Sequence, residues 1–234
     1  MKVRIKFSKE GPVKFVGHLD TMRYFQKAIR RANLPVAFSG GYSPHMIMSF
    51  AAPLGVGTES LGEYFDLELA ETVPTSEITR RLDAVCRRVH VLIPVRLRNG
   101  KAGKAMSLVA AADYYVEFRP GKEPEISWKD KISDFLAQPE ITVMKKTKRS
   151  GKEIDIRPFI YKMELQGDKI FMMLASASAN YTKPELVTDT FFSWLGIELP
   201  EFAYSIKRLE VYADKGTEEE HKFVTLEALG EEVE

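Results

Sequence analysis

The sequence predicts an α+β fold: two halves in tandem, each running strand, helix, strand, strand, helix, strand, with antiparallel sheets. Three observations lead there. Apolar residues alternate at period two in some stretches and recur every three or four residues in others, in that order. The same succession returns after residue 108, beyond Asn99-Gly-Lys-Ala-Gly-Lys-Ala-Met-Ser107, a small, flexible and charged connection. With 234 residues, 44% hydrophobic and 11% aromatic, the chain has apolar material enough for two domains of ordinary size.

Each element follows from its residues. Val3, Ile5 and Phe7 alternate with Arg4 and Lys6, the pattern of a half-buried strand with a basic outer face. Residues 18–33 switch to helical spacing, placing Leu19, Met22, Phe25, Ile29 and Ala32 on one side and Arg23, Lys27, Arg30 and Arg31 on the other. Pro35 ends that helix. Val36–Phe38 and Met46–Phe50 read as extended pieces around a glycine-bearing loop, Ser39–Pro44, and Pro53-Leu-Gly-Val-Gly57 as a turn. Phe65, Leu67 and Leu69 alternate with Tyr64, Asp66 and Glu68 as a strand. Pro74 opens a helix with Ile78, Leu82 and Val85 on one face, and Val89–Leu97 closes the half as a strand.

In the second half, Tyr114, Val116 and Phe118 mark a strand and Trp128–Ala137 a helix. Phe159–Leu165 and Lys169–Ala175 form a hairpin turned at Gln166-Gly-Asp168, followed by a helix at Pro184–Leu195 and a strand at Tyr204–Tyr212. The extra piece is a strand and basic turn at Ile141–Arg157. This order is the split βαβ, or ferredoxin-like, pattern, whose right-handed crossovers put both helices on one face of each sheet. The expected organisation is residues 1–100, residues 108–214 with the insertion at 140–157, and a loosely held acidic tail at 215–234.

The net charge is only +1, yet charge is sorted along the chain. Residues 1–58 carry nine Lys and Arg against two acids, whereas residues 59–79 carry six acids and no base. Bases return at 80–107 and 144–162, and acids at 215–234. Clustered cations on one face favour polyanions, of which nucleic acid is the commonest. The helix stripe Arg23, Lys27, Arg30 and Arg31 is the firmest such cluster, and the turn with Lys145, Lys146, Lys148, Arg149 and Lys152, extended by Arg157, is a second. Lys14 before the first helix and Lys183 before the last complete the candidate nucleic-acid contacts. Tyr42 and His45 in the glycine-bearing loop could stack on unpaired bases while neighbouring cations hold phosphates.

Several chemistries are excluded or unsupported. The lone Cys86 makes no internal disulfide and cannot supply the three thiolates of an iron–sulfur cluster. His18, His45, His90 and His221 lack the spacing of zinc ligands, so neither metal nor cofactor is expected. Gly40-Gly41 and Gly55-Val-Gly57 fall short of any phosphate-binding fingerprint, and Ser39 and Ser43 have no base beside them. No run of eighteen apolar residues occurs and the first residues alternate charge with apolar groups, so the expectation is a cytoplasmic protein without membrane contact.

Lys14-Phe-Val-Gly-His-Leu-Asp20, Arg30-Arg-Ala-Asn-Leu-Pro35, Phe38-Ser-Gly-Gly-Tyr-Ser-Pro-His45, Gly55-Val-Gly57, Glu63-Tyr-Phe-Asp66, Glu153-Ile-Asp-Ile-Arg-Pro158 and Lys183-Pro-Glu-Leu186 together carry a likeness. In this order they resemble the bacterial radical-SAM-associated domain of unknown function, over nearly the whole chain. The resemblance implies a partner, since such domains are commonly encoded beside or fused C-terminally to a radical SAM protein, often near genes of RNA metabolism. Two places depart from that pattern. Met46 and Ile47 replace a proline and a basic residue, and Ser176-Ala-Ser-Ala-Asn-Tyr181 replaces a glycine-bearing stretch.

The expected function is therefore an accessory module, without activity of its own, that binds tRNA or rRNA and works with a separate radical SAM enzyme. The tandem ferredoxin-like reading is also similar to metal-independent endoribonucleases that process CRISPR repeat RNA, for which His18 or His45 with Lys14 would be the catalytic candidates. A third expectation is a protein-docking adaptor for the radical SAM enzyme, with the acidic stretch Glu59–Glu77 and the tail meeting a basic surface.

Overall fold

The computed structural model describes the chain except residues 87–88, 98–102, 147–150 and 218, and describes residues 92, 93, 96, 145, 146, 151 and 152 by backbone alone. In chain order the elements are β1 (Lys2–Lys9), α1 (His18–Arg31), β2 (Met48–Phe50), β3 (Glu59–Glu68), α2 (Thr75–Val85), β4 (Val91–Leu97), α3 (Ala105–Leu108) and β5 (Val109–Phe118). There follow α4 (Ile132–Leu136), β6 (Thr142–Lys146), β7 (Gly151–Asp155), β8 (Ile160–Gln166), β9 (Lys169–Ala175), α5 (Pro184–Trp194), β10 (Tyr204–Asp214), β11 (Phe223–Thr225) and β12 (Gly230–Glu231). The architecture is mixed α+β with antiparallel strand pairing, divided into two compact units: Met1–Ala110 with Arg208–Glu234, and Ala111–Lys207.

In the first unit β1 lies between β3 and β4, and β2 pairs with β3, all antiparallel. Beyond them β10 neighbours β3, β11 pairs with β10, and β12 pairs with β4. α1 covers one face because Phe25, Ala28 and Ile29 recur at helical spacing and are buried. Phe25 meets Phe7 and Phe65 with ring centroids 4.7 Å apart in each case, and Phe50 joins them 5.3 Å from Phe65. An aromatic cluster of this kind is worth about 0.5–1.5 kcal/mol per pair beyond the area it buries. The helix stops where Asn33 turns left-handed at φ 49°, with Asn33 N–H donating to Arg30 O and Leu34 N–H to Ile29 O. These two hydrogen bonds satisfy the Arg30 and Ile29 carbonyls, and Pro35 prevents continuation.

Two surfaces expected to be open are closed. The outer face of β1 is not a basic surface: Arg4 is fully buried and donates to Asp66 at 2.8 and 3.1 Å, while Lys6 donates to Glu210 at 2.6 Å and Glu227 at 3.1 Å. The cover is the acidic tail itself, which is ordered rather than loose. Leu226 is fully buried, its carbonyl accepts from Arg4, and β11 and β12 add to strand edges. Burying Leu226 contributes about 1.5–3 kcal/mol, and the strand pairing of β11 and β12 adds to it. Composition hid this, because the seven acids of residues 215–234 outweigh the apolar residues Phe223, Val224, Leu226, Leu229 and Val233 scattered among them.

The acidic stretch of β3 is likewise engaged. Glu63, 5% exposed, accepts two bonds from the buried Arg208, at 2.8 Å from Nε and 2.6 Å from Nη2. Strands β3 and β10 come so close that a side chain on Gly62 would stand 2.8 Å from Leu209 O.

In the second unit β9 lies between β5 and β8, antiparallel to both, and Arg119 N–H donates to Ala203 O just before β10. Trp128, Phe135, Phe191 and Phe192 form its aromatic core, with Phe135 and Phe191 centroids 5.2 Å apart. The insertion is a separate antiparallel hairpin, β6–β7.

Candidate nucleic-acid interface

The stripe of α1 is placed as its spacing requires. Arg23, Lys27, Arg30 and Arg31 are all exposed, and the one short-range acid is Asp20, whose carboxylate accepts from Arg23 at 2.9 Å. Arg30 and Arg31 stand in the last turn, where the helix dipole favours cations. The apolar side differs from expectation at one position: Leu19 is 59% exposed. It lies in the first turn of α1, and Phe15 and Val56 are exposed as well.

The loop leading into α1 is fixed from beneath. Buried Lys9 donates to Val16 O at 2.7 Å. Burial pushes the Lys9 ammonium below its ordinary value, Glu63 opposing and Arg208 adding to the shift. Lys14 is not a free cation: Nζ lies 3.2 Å from Glu59 Oε1 and 5.5 Å from the Phe15 ring centre. His18 opens α1 half-buried, its ring edge-to-face with Phe50 at 5.3 Å, which is the packing of a helix-start histidine.

Tyr42 and His45 occupy a second place. Ser39 N–H donates to His45 O, Ile47 N–H to Ala37 O and Glu68 N–H to Ile47 O, so residues 37–47 form a hairpin arm against the end of β3. Tyr42 at its tip is wholly exposed, and His45 Nδ1 is 2.9 Å from Ser39 Oγ. Gly41, at φ 97°, supplies the left-handed turn that a side chain would resist.

Lys14 is held by Glu59, the first residue of β3, whereas the hairpin arm joins at Glu68, its last. Nine steps of about 3.3 Å separate those ends by roughly 30 Å. No single scissile phosphate meets both Lys14 and His45.

The remaining candidates separate further. Arg157 is half-buried and donates to Leu136 O at 2.7 Å and Ile160 O at 3.3 Å, so it ties the insertion to the second unit and is not part of a cationic surface. Lys183 is exposed at the start of α5. Lys148 and Arg149 lie outside the described residues, and Lys145 and Lys146 are placed by backbone on β6.

Sequence reasoning missed a pocket of about 250 Å³ beside the hairpin arm, walled by Met46–Ser49 and the end of β3, with Lys2 and Lys104 among its lining. These residues come from four separate stretches, and no spacing signals them. Phe15 was also missed, although an aromatic outside any periodic run and next to a lysine is a readable signal of exposure. Among the described residues no group of three His, Cys, Asp or Glu could hold a metal ion, and no helix is long and apolar enough to cross a membrane.

No curated protein matches the chain. Among solved structures it is similar to a chain of the "Crystal Structure of a Cbf5-Nop10-Gar1 Complex", at 15% identity and TM-score 0.44, covering 89% of this chain and 48% of that one. The chain therefore spans about half the length of that structural relative. Residues 2–184 match the model of a family described as "Uncharacterized protein conserved in bacteria (DUF2344)", and the chain belongs to that family.

Proposed function

We propose that this chain is an accessory module that binds structured RNA through the cationic face of α1 and serves a separate radical SAM enzyme in RNA modification or processing. The observation that carries the reading is that Arg23, Lys27, Arg30 and Arg31 all face solvent, while Glu59, Glu63, Asp66 and Glu68 on β3 bond to Lys14, Arg208, Arg4 and Lys2. A solvated helix more often mixes Glu with Lys at spacing four, and α1 holds one acid, Asp20. The exposed Tyr42 at the hairpin tip adds a stacking surface for an unpaired base.

The architecture behind this reading is two ferredoxin-like units in tandem. It is supported by β1 lying between β3 and β4 with β2 on β3, and by β5, β9 and β8 repeating part of that order. The radical SAM partner and a cytoplasmic location rest on the family likeness and composition. A nuclease activity has no support in the placement of Lys14 and His45.

The test is a band shift with cellular tRNA and rRNA fragments against the Arg23→Glu, Lys27→Glu, Arg30→Glu triple variant. Binding by the parent and its loss in a folded variant support the surface; equal binding by both removes it. A protein-docking reading is favoured by one observation, the exposed apolar group Phe15, Leu19 and Val56 beside Lys14. Co-purification of the enzyme after nuclease treatment, lost in Phe15→Ser with Leu19→Ser, would select it.

A further inference from the structure

The ring of Phe15 stands just ahead of α1 on a loop that is held from several sides. The carbonyls flanking it are both bonded: Lys14 O accepts from Gly57 N–H at 2.9 Å, and Val16 O from the buried Lys9 ammonium at 2.7 Å. Val16 N–H closes the single turn Gly11–Phe15 onto Val13 O, and Gly11 N–H donates to Glu59 at 3.2 Å. The ring itself is 66% exposed, with Lys14 Nζ over it at 5.5 Å from its centre. A large ring left in water on a pinned backbone is ordered before any ligand arrives, so binding to it loses little conformational freedom.

Its surroundings select the ligand. Leu19, four residues further on, belongs to the solvent side of α1: Arg23, Lys27 and Arg30 follow it at spacings of four, eight and eleven, along one line of the helix. That line passes from apolar to cationic over about 16 Å, at 1.5 Å per residue. Phe15, Leu19 and Val56 fall well short of the roughly 800 Å² per partner of a standard protein interface, whereas one ring is enough for one base. A nucleic acid also uses both parts of the surface, its phosphates meeting the cations and a base meeting the ring. Within a continuous duplex the bases are stacked on one another, so the ring meets only a base that is unpaired.

We infer that Phe15 is a stacking site for one unpaired base of the RNA whose backbone follows α1, so that the substrate class is RNA with a single-stranded stretch, bulge or overhang beside its bound phosphates, not continuous duplex. This deepens the function proposed above and rests on it. Stacking asks only for a π-face, so the site accepts any of the four bases.

The experiment uses the full chain and two labelled RNAs, a fully paired duplex and the same duplex with a short unpaired extension at either end, with affinity read by fluorescence anisotropy. The parent should bind the extended RNA about tenfold more tightly, the size of one base stack. Phe15→Leu keeps the apolar bulk and removes the ring, so it should erase that difference, and Phe15→Tyr should keep it. In Phe15→Trp the extended RNA should quench indole fluorescence beyond any change in the parent, whose Trp128 and Trp194 lie in the second unit.

Equal affinity of the parent for the two RNAs, or a preference that Phe15→Leu retains, would overturn the stacking site and leave α1 as the RNA surface. Failure of the parent to bind these RNAs, or tRNA and rRNA fragments in the band shift, would overturn the proposed function and this inference with it. A preference retained in Phe15→Leu, together with loss of the co-purified enzyme in Phe15→Ser with Leu19→Ser, would assign the patch to protein docking and likewise overturn the site.

Discussion

Neutralising Lys27, Arg30 and Arg31 together to alanine should change how RNA affinity responds to salt more than it changes the protein. All three side chains are exposed, and Arg30 and Arg31 sit in the last turn of α1, so the stability lost is the dipole interaction, about 0.3–1 kcal/mol each at low salt. Alanine recovers part of this through its helix propensity. If each of the four stripe cations neutralises one phosphate, log affinity falls with log salt at a slope of about −3.6 on duplex RNA, taking roughly 0.9 per contact, and about −2.8 on single strands at roughly 0.7. Between roughly 50 and 200 mM salt the parent then loses about 150-fold on a duplex or about 50-fold on a single strand, whereas the variant, keeping only Arg23, loses about threefold. Arg23 is the weakest of the four to retain, because Asp20 already engages it at 2.9 Å. Fluorescence anisotropy with a labelled RNA hairpin, titrated at several KCl concentrations, reads both slopes. Parallel lines for parent and variant would refute the assignment of phosphate contacts to α1, whatever the absolute affinities.

Glu63→Gln should cost about 3–5 kcal/mol in urea unfolding, because it leaves the Arg208 guanidinium buried without its counter-charge, while adding Arg208→Met should recover much of that loss; a double variant no more stable than the single one contradicts the pairing. Gly62→Ala should destabilise by about 1–3 kcal/mol through its 2.8 Å approach to Leu209 O, and a neutral outcome would mean β10 shifts freely. Alkaline pH should weaken the first unit. Burial works to lower the Lys6 value but Glu210 and Glu227 outweigh it and raise it, and burial followed by Glu210 raises that of Tyr64. Both groups keep their protons longer when folded, so their stabilisation is complete below the ordinary values near 10 and is lost as pH climbs through the raised ones. Glu227→Gln should flatten that decline, and urea midpoints identical in parent and variant at pH 8 and 11 would argue against the network.

The periodic parts of the fold were readable and the long-range polar parts were not. α1 follows from Phe25 and Ile29 at spacing four and from Pro35, and the β8–β9 hairpin from Gly167, which adopts φ 61° between two alternating runs. Strand β3 starts at Glu59, well before its alternating apolar residues, because Ser60 and Glu63 pair with Lys9 and Phe7 of β1 across a bulge and Gly62 lies against the distant β10. Arg4 and Arg208 look like surface residues in sequence, yet each is almost fully buried on a carboxylate 62 and 145 residues away. Local spacing carries no information about partners at such distances. For the same reason α1 was legible as a cationic surface, its determinants lying within one helix, whereas the pocket drew on stretches near residues 2, 46, 68 and 104.

Sheet geometry explains why the acids of β3 leave α1 charged. Alternation sends Phe65 and Leu67 to the face that meets Phe25, and therefore sends Tyr64, Asp66 and Glu68 to the other. There Asp66 meets Arg4 and Glu68 meets Lys2, both from β1, in a register that pairs Arg4 with Asp66 and Lys2 with Glu68 directly across the ladder. Glu63 is drawn to Arg208 and Glu59 to Lys14, so the strand is neutralised by side chains of the sheet and its entrance loop. A sum over the sequence cancels these carboxylates against the α1 cations, although a hydrophobic layer stands between Asp66 or Glu68 and that helix. The near-zero net charge is thus compatible with a strongly positive helix face, and the strength of that face depends on the register of β1 against β3. Sliding that register by one residue would turn Asp66 and Glu68 toward α1 and remove the field that a phosphate backbone would follow.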